Sequence, residues 1–470
     1  MNRRRFLKLA TGSTPFIAGC SSQNNQPTAT VLSSPTETAT ATSARSPSQT
    51  EPRTDTQESS PSPSKPAETH FVDPAGDDGN PGTESQPLAS IQRAINRAQP
   101  GETIQVASGE YREFLITKRP GGPGNPITIT GPADAIIRPP KDTLESRIFA
   151  IVHSHIHLKG MTFDGLADPD NPENPASYTN NVIDTIIPTW EDDFPDYLTD
   201  IKIKPDAIGN ARRHVLGTVR TNNVEIGEFW IIGPAGAENL YGESKDHPSG
   251  GIVPKNHIGE MIQIGVKHNV FDEGEGDWYT EHWDTPDESH DIHIHHIDNS
   301  EGHPHTELVE LGTSIYDATI EYCTDGGRAG MYFLSQDHEN WTETSMGLRG
   351  GRCILRWCVI EDGYGSGVQI GTPPGLDRNL DKYSHIPDSR FPGTNNAVYG
   401  NRIVDNAGLA LAFPYELYNG EELDQGPSAQ KVICGNEYNG ESQGEPGKSC
   451  DSDVSKGEGI GHLGGDSPWM

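Results

Sequence analysis

The chain has 470 residues, which is enough for one large domain or two ordinary ones. It carries 68 aspartates and glutamates against 35 lysines and arginines, so its formal net charge is -33. A surface this acidic repels nucleic acid and anionic membrane surfaces, and we therefore exclude both as direct partners of the folded part.

Two short motifs stand in order at the N-terminus. Arg3 and Arg4, followed by Phe6-Leu7-Lys8, resemble the twin-arginine export signal. The stretch Ile17-Ala18-Gly19-Cys20 resembles a lipobox, whose cysteine becomes the lipidated first residue of the mature chain. We therefore expect residues 1–20 to be a twin-arginine signal peptide with a lipobox. The protein is then exported and held at the extracellular face of the cell membrane by a lipid on Cys20.

The stretch from residue 21 to 69 is rich in Ser, Thr and Pro and has almost no large apolar residue. Such a segment cannot bury enough surface to offset its ordering entropy, so we predict a disordered tether. The acidic excess continues along the rest of the chain, and only 32% of the residues are hydrophobic. This composition is similar to that of proteins from extreme halophiles, in which salt screens the repulsion between surface carboxylates.

A short helix is predicted near the start of the folded part, because five apolar residues share one helical face: Leu88, Ile91, Ala94, Ile95 and Ala98. The loop Gln99-Pro100-Gly101 ends this helix, and a strand is predicted from Thr103 to Ala107. The segment resembles the N-terminal cap of extracellular β-helix carbohydrate-active proteins, in which a helix closes the open end of the first coil. A cap of this kind covers an otherwise unpaired sheet edge.

Beyond this helix and strand, an aliphatic residue recurs along the chain, and each time the residue three positions later is apolar, a cysteine or an asparagine. The occurrences are Leu158-x-x-Met161, Ile226-x-x-Phe229, Val266-x-x-Asn269, Ile294-x-x-Ile297, Ile320-x-x-Cys323, Leu355-x-x-Cys358, Val398-x-x-Asn401 and Ile433-x-x-Asn436. A second register repeats as Ile262-Gln263-Ile264-Gly265, Val309-Glu310-Leu311-Gly312 and Val368-Gln369-Ile370-Gly371. Short strands broken by Asn, Asp and Gly at irregular intervals are typical of a parallel β-helix.

We therefore predict an all-β fold, a right-handed parallel β-helix (solenoid) with an N-terminal capping helix, over residues 70–440. An acidic tail rich in Gly and Ser follows over residues 441–470. The alternatives are a β-sandwich and a propeller. Irregular coil lengths argue against the propeller, and missing hairpin turns argue against both.

One position of the repeat is expected to stack inside successive coils. Its members are Asn269, Cys323, Cys358, Asn401 and Asn436. Stacked asparagines would satisfy backbone groups of the turns, and cysteine would pack there as a small apolar residue. The cysteine spacings match no zinc motif, and we predict no disulfide bridge between stacked coils.

Insertions between strands are predicted to carry the function, the longest including Asp164–Asn222 and Ser335–Gly350. They contain aromatic residues suited to stacking on sugars: Trp190, Trp230, Trp278, Trp283, Trp341, Tyr241, Tyr279 and Tyr383. None contains a GxSxG, Walker, HExxH or Rossmann pattern, which excludes those chemistries.

The densest polar stretch runs from Trp283 to Glu310 and includes Asp284 and six histidines between residues 290 and 305. His293 and His295 alternate along a strand, so they could simply be exposed. His303, His305 and Glu307 alternate as well and could converge beside Asp272. This group is a candidate metal or catalytic site.

The stretch Glu307-Leu308-Val309-Glu310 resembles the calcium site of the chondroitinase B and alginate lyase family of β-helix enzymes. Glu310 matches the second Glu of that family's Glu-x-Glu pair, whereas Leu308 stands in place of the first. Ile315 stands where the family has its Lys base. The resemblance implies a calcium ion held by Asp272, Glu307 and Glu310, and a polysaccharide substrate.

Three functions remain open at this point. In a uronate-polymer lyase, Lys267, His305 or Arg328 would remove the proton next to the carboxylate while a cation neutralises the developing charge, with Asp284 as a further catalytic candidate. A glycoside hydrolase would use two carboxylates drawn from Asp272, Asp284, Glu307, Glu310 and Asp325. The third is a monomeric surface protein that binds sugar without catalysis.

Overall fold

The protein is described here from a computed structural model. The described residues are 68–141, 147–237, 245–246, 252–253, 259–266, 282–326, 344–363, 365–371, 385–406, 408–413, 417–418, 421–422 and 425–438. The predictions for Arg3, Arg4, Cys20, the tail and the tether up to residue 67 therefore fall outside the described residues. The predicted end of the tether at residue 69 was wrong, because Thr69 is the first residue of a strand. Within the described part, no helix is long and apolar enough to cross a membrane.

Short β-strands account for nearly all the regular structure. The first half contains β1 (Thr69–Val72), β2 (Thr103–Val106), β3 (Gly109–Arg112), β4 (Leu115–Ile116), β5 (Ile127–Arg138), β6 (Arg147–Ile151), β7 (Ile156–Asp164), β8 (Asn181–Thr185), β9 (Leu198–Lys204), β10 (Ala207–Gly209), β11 (Leu216–Thr218), β12 (Thr221–Ile231), β13 (Lys245–Asp246), β14 (Ile252–Val253) and β15 (Ile262–Ile264). The second half contains β16 (His290–Asn299), β17 (Val309–Leu311), β18 (Tyr316–Glu321), β19 (Thr324–Asp325), β20 (Thr344–Leu348), β21 (Ile354–Arg356), β22 (Val359–Glu361), β23 (Ser366–Ile370), β24 (Ala397–Tyr399), β25 (Arg402–Val404), β26 (Leu411–Ala412), β27 (Leu417–Tyr418), β28 (Glu421–Glu422), β29 (Val432–Cys434) and β30 (Glu437–Tyr438).

The helical elements of the described part are few. One α-helix, α1, spans Ile91–Arg97. Short 3-10 helices span Pro175–Ser177, Asp388–Arg390 and Pro427–Ala429.

Apart from the antiparallel pairs β13–β14 and β27–β28, the described strands form three parallel ladders that run the length of the described fold. The first ladder contains β1, β2, β9, β18, β21, β24, β29 and the N-terminal halves of β5, β7, β12 and β16. The second contains β3, β10, β19, β22, β25, β30 and the C-terminal halves of the same four strands. The third runs β4-β6-β8-β11-β15-β17-β20-β23-β26. This architecture confirms the predicted parallel β-helix.

The N-terminal cap is confirmed as well. The buried residues of α1 are Ile91, Ala94 and Ile95, and they belong to the same hydrophobic core as the first strands. The Glu113 carboxylate accepts hydrogen bonds from the backbone N–H groups of Ile91 and Gln92, both at 2.9 Å. These are amides of the first helical turn, which have no partner inside a helix. The sequence did not reveal β1, which pairs with β2 and starts the first ladder before the helix.

The aliphatic column of the first ladder confirms most of the predicted register. Its members, stacked on one another in adjacent strands, are Ile104, Ile129, Leu158, Ile203, Ile226, Ile294, Ile320, Leu355, Val398 and Ile433. The alignment of Val266 was wrong, because Ile226 pairs directly with Ile294 and Val266 follows β15 of the third ladder. Ile203 takes a place in the column that the prediction left empty.

Two predicted insertions contain strands. The range Asp164–Asn222 includes β8, β9, β10 and β11, and therefore contributes to all three ladders. The range Ser335–Gly350 includes β20, whose Met346 stacks between Val309 and Val368. The second register is thus confirmed, with one additional coil between its predicted members.

The inward column of asparagines and cysteines is confirmed where it is described. Asn401 Oδ1 accepts a hydrogen bond from the Cys358 backbone N–H at 3.0 Å, and Asn401 Nδ2 donates to the Leu355 carbonyl at 3.0 Å. Asn436 repeats both contacts one coil later, with Asn401 N–H and the Val398 carbonyl. Asn269 lies outside the described residues.

The cysteines divide into two groups. Cys323, Cys353 and Cys358 are free thiols buried in the core, as expected for packing residues. Cys434 is disulfide-bonded, a bridge that was not predicted from the sequence. Since the other described cysteines are free, its partner lies outside the described residues.

Replacing Asn401 by Ala should lower the free energy of unfolding by about 2–4 kcal/mol. The change leaves a buried N–H and a buried carbonyl without partners, and each such group costs about 1–3 kcal/mol. Asn96→Ala, at an exposed position of α1, is the matched control and should change stability by less than about 0.5 kcal/mol. Urea unfolding in molar salt measures both, and equal losses would contradict the role given to the column.

Candidate active site on the third ladder

A polar column follows the outer face of the third ladder. Gln263, Glu310, Gly347 and Gln369 are register partners in successive strands. The residues on either side of Glu310, Val309 and Leu311, belong to the hydrophobic core. Because side chains alternate along a strand, Glu310 must therefore point away from the core.

A second glutamate joins Glu310 because the chain turns just before β17. Leu308 and Val309 are consecutive and both lie in the core, so strict alternation is broken there. Glu307 is thereby placed outside, on the same side as Glu310. Glu260 lies two residues before β15, as Glu307 lies two residues before β17. One carboxylate oxygen from each of Glu260, Glu307 and Glu310 lies within 4.8 Å of the other two.

All three carboxylates are buried, and a guanidinium group joins two of them. Arg349 Nη2 donates to Glu307 Oε1 at 2.7 Å, and Arg349 Nη1 donates to Glu310 Oε1. Arg349 is the first residue after β20. Gly347 adds no side chain between these groups; a Cβ there would be in ordinary contact with Glu307 Oε1, at 3.6 Å.

Further polar groups border the cluster. His214 Nδ1 lies 2.6 Å from Glu260 Oε2 and occupies the corresponding position before β11. The Thr344 hydroxyl and Arg349 Nε are buried and have no hydrogen-bond partner among the described residues. A buried polar atom without a partner is costly, so these groups are suited to receive a polar ligand.

His305 is buried and has both ring nitrogens engaged. Nε2 lies 3.0 Å from Asp325 Oδ2, and Nδ1 lies 2.8 Å from the His303 carbonyl oxygen. Asp325 also accepts hydrogen bonds from Ser345 and Asn299. Burial alone would lower the pKa of His305, but the Asp325 carboxylate raises it above its usual value. The His305–Asp325 contact positions side chains inside the fold and does not face solvent.

The remaining predicted residues are not brought into this cluster by the described structure. Asp284 is exposed, next to Trp283, which packs against Ile187 and Leu198. Of the predicted aromatic residues, Trp190 and Trp230 are 54% and 56% exposed.

The other residues proposed for the site cannot be placed. Lys267, Asp272 and Arg328 lie outside the described residues, as do Trp278, Trp341, Tyr241, Tyr279 and Tyr383. Their predicted roles stay predictions.

Sequence reasoning missed Glu260, His214 and Arg349. The signal for Glu260 was present, because aligning Ile262 with Val309 also aligns Glu260 with Glu307. The same alignment, extended one coil back to Leu216, finds His214. Arg349 had no such signal, since its strand was assigned to an insertion.

Comparisons with known proteins agree with this architecture. Residues 74–120 match a family described as a protein of unknown function (DUF1565). The uncharacterized protein YwoF of Bacillus subtilis (strain 168) is 38% identical over 58 residues, which are 12% of this chain and 12% of that protein. This relative is therefore matched over a small part of its length.

Solved structures resemble the chain over most of its length. An alginate lyase from Paenibacillus sp. strain FPU-7 has a TM-score of 0.51 at 12% identity, over 81% of this chain and 99% of that chain. Pectate lyase Pel9A has a TM-score of 0.41 at 12% identity, over 86% and 88% of the two chains. The likeness to the alginate lyase supports the assignment of the chain as an all-β parallel β-helix protein.

Replacing Arg349 by Met should lower the free energy of unfolding by about 3–5 kcal/mol, because it leaves buried carboxylates without their counter-ion. Arg352→Met is the matched control. Arg352 pairs with Asp317 at the surface, where a salt bridge contributes about 0–1 kcal/mol. Denaturant unfolding compares the two variants, and an Arg349 loss no larger than the Arg352 loss would refute a buried ionic cluster.

Proposed function

We propose that this protein acts on a polysaccharide, as a lyase that cleaves a uronate-containing polymer by β-elimination. The observation that carries the proposal is the cluster of Glu260, Glu307, Glu310 and Arg349 on the outer face of the third ladder. An alginate lyase shares the fold, so the architecture is compatible with this chemistry.

The cluster fits a calcium ion by its donor chemistry. Three carboxylates contribute oxygen ligands only, which calcium prefers over nitrogen or sulfur. Arg349 already bonds two of them, so an ion would share these oxygens with a guanidinium group. We propose that Glu260, Glu307 and Glu310 hold the ion, with Asp272 as the further ligand predicted from sequence. Bound calcium would supply a positive charge against the carboxylate of a uronate residue.

Two positively charged side chains provide the other groups that the reaction needs, a donor to the substrate carboxylate and a base. Arg349 Nε is a buried donor without a hydrogen-bond partner among the described residues, and a substrate carboxylate can accept from it. Withdrawing charge from that carboxylate acidifies the neighbouring carbon, whose proton a base must then remove. The electron pair left on that carbon forms a carbon–carbon double bond as the glycosidic C–O bond breaks, and the departing oxygen takes a proton from solvent. We assign this base to Lys267, three residues after β15. His305 is less suited, because its ring nitrogens are both engaged.

The arrangement favours a lyase over a hydrolase. A hydrolase needs one carboxylic acid that reaches the glycosidic oxygen and a second carboxylate across the bond. Glu307 and Glu310 instead share one guanidinium group and are buried. Asp325 is bound to His305, Ser345 and Asn299.

The full chain, incubated with alginate, pectate or chondroitin in molar salt with calcium, should produce unsaturated ends that absorb ultraviolet light. Glu310→Gln should reduce the rate on the order of 100-fold or more, because it removes a ligand and a charge from the cluster. Gln369→Ala is the matched control, since Gln369 occupies the same outward column further along the ladder. Its rate should stay within about threefold of the parent rate, because this side chain makes no contact with the reacting groups in the transition state.

Two results would overturn the assignment. New reducing ends without ultraviolet absorbance would identify a hydrolase. Binding of these polymers without any product would identify a non-catalytic carbohydrate-binding protein.

We also propose that the protein is exported by the twin-arginine pathway and anchored through a lipid on Cys20. In a host that supports this export route, Cys20→Ser should move the protein from the membrane fraction to the medium. Ser21→Ala is the control and should leave it membrane-bound. The double substitution Arg3→Lys and Arg4→Lys should keep the protein inside the cell, since the export signal requires the arginine pair. Membrane retention of the Cys20 variant would refute the anchor.

A further inference from the structure

A second cluster of ligand-type side chains lies on the outer face of the first ladder. Glu225 of β12 and His293 of β16 are register partners in adjacent strands. His295 follows two residues later and points to the same face as His293. One ligand atom from each of the three residues lies within 4.8 Å of the other two.

The strand holds both histidines in place. Ile292 and Ile294 alternate with them and are buried in the core, which fixes the outward direction of the imidazoles. The two rings are stacked, with centroids 4.3 Å apart and planes 27° apart. The two imidazoles therefore lie on the same face as the carboxylate of the adjacent strand. Their nitrogens and the carboxylate oxygen are close enough together to bind one ion.

Gly227 leaves the space that His295 uses. It is the register partner of His295. A Cβ at residue 227 would clash with the His295 carbonyl oxygen and lie 3.2 Å from Cδ2 of its ring. The glycine therefore permits the imidazole to lie across β12 toward Glu225, where Nε2 is 3.4 Å from Glu225 Oε1.

Neighbouring residues orient the two rings. His295 Nδ1 lies 2.9 Å from His296 Nδ1, which leaves Nε2 directed at Glu225. His293 Nε2 lies 2.8 Å from Glu321 Oε1, and Arg356 holds the other oxygen of that carboxylate. Carboxylates that orient ligating histidines in this way are a regular part of protein metal sites.

Two lysines contact the Glu225 carboxylate. Lys202 Nζ and Lys204 Nζ lie 2.8 and 2.5 Å from its oxygens. Lys202 is 43% exposed on a flexible stem, so its ammonium group can turn to solvent when a cation enters.

We propose that Glu225, His293 and His295 bind a divalent transition-metal ion of the zinc class. Two imidazoles and one carboxylate suit zinc, nickel or copper, whereas calcium and magnesium prefer oxygen ligands alone. This site is separate from the proposed calcium site and does not depend on the lyase assignment.

An ion bound by these three residues would stabilise the fold. It links β12 to β16, and the chain passes through residues 232–289 between these two strands. A metal cross-link between strands that flank a long excursion stabilises the folded state by the free energy of metal binding. The ion therefore fastens two adjacent coils of the first ladder.

Isothermal titration calorimetry of the metal-free full chain with zinc chloride tests the site. The parent chain should show a zinc site that millimolar calcium does not displace, and zinc should raise its unfolding temperature. Glu225→Gln and His293→Gln should each weaken this site on the order of 100-fold or more. His290→Gln is the matched control, because His290 lies on the same strand but stacks on Tyr316. Its affinity for zinc should stay within about twofold of the parent value.

Circular dichroism confirms that each variant is folded before its titration is interpreted. His295→Asn provides a third ligand variant, so that a folding defect in one variant leaves two others to decide. Zinc binding that is unchanged in folded Glu225→Gln and His293→Gln would overturn the proposal. So would the absence of zinc binding by the parent chain, or zinc displaced by calcium.

Discussion

The in-register pairing of each strand with the equivalent strand of the next coil is the constraint on which the rest of this structure depends. Parallel ladders satisfy the backbone by hydrogen bonds between coils, and they place equivalent side chains directly above one another. Ile294 thus lies between Ile226 and Ile320, and Glu310 between Gln263 and Gly347. Strand positions that face the core form apolar columns, the asparagine and cysteine column at the turns adds buried polar groups, and strand positions that face outward are not constrained by the core.

This constraint explains how much of the fold could be predicted. A buried column demands the same kind of residue in every coil, so the aliphatic positions from Leu158 to Ile433 were visible as a repeat. The exception, Val266, follows a strand of the third ladder that has a similar aliphatic pattern, and sequence alone does not say which ladder a motif belongs to. The strand Thr344–Leu348 was missed because only Met346 and Leu348 mark its apolar alternation, and the glycine between them is a weak strand former.

The candidate site was predictable only in part, for a related physical reason. Glu310 could be identified because it alternates between two core residues. Glu307 was expected to lie on the same face as His305, because the two residues alternate along the chain. In the structure, His305 instead contacts Asp325. The corner at Leu308 and Val309 decides which side chains meet, and corners do not follow the strand period. Arg349 completes the cluster from a strand whose place in the ladder had not been recognised.

The same geometry accounts for two clusters of different chemistry. On the third ladder, the corner before each strand brings carboxylates of successive coils together, which gives an oxygen donor set around Glu307. On the first ladder, strict alternation along β16 and the gap above Gly227 give an imidazole-rich set around His295. An outward position is not constrained by the core, so its residue type can differ from coil to coil while the ladder is kept. The stacking fixes where ligands meet, and the outward residues alone determine which ion or substrate group they can bind.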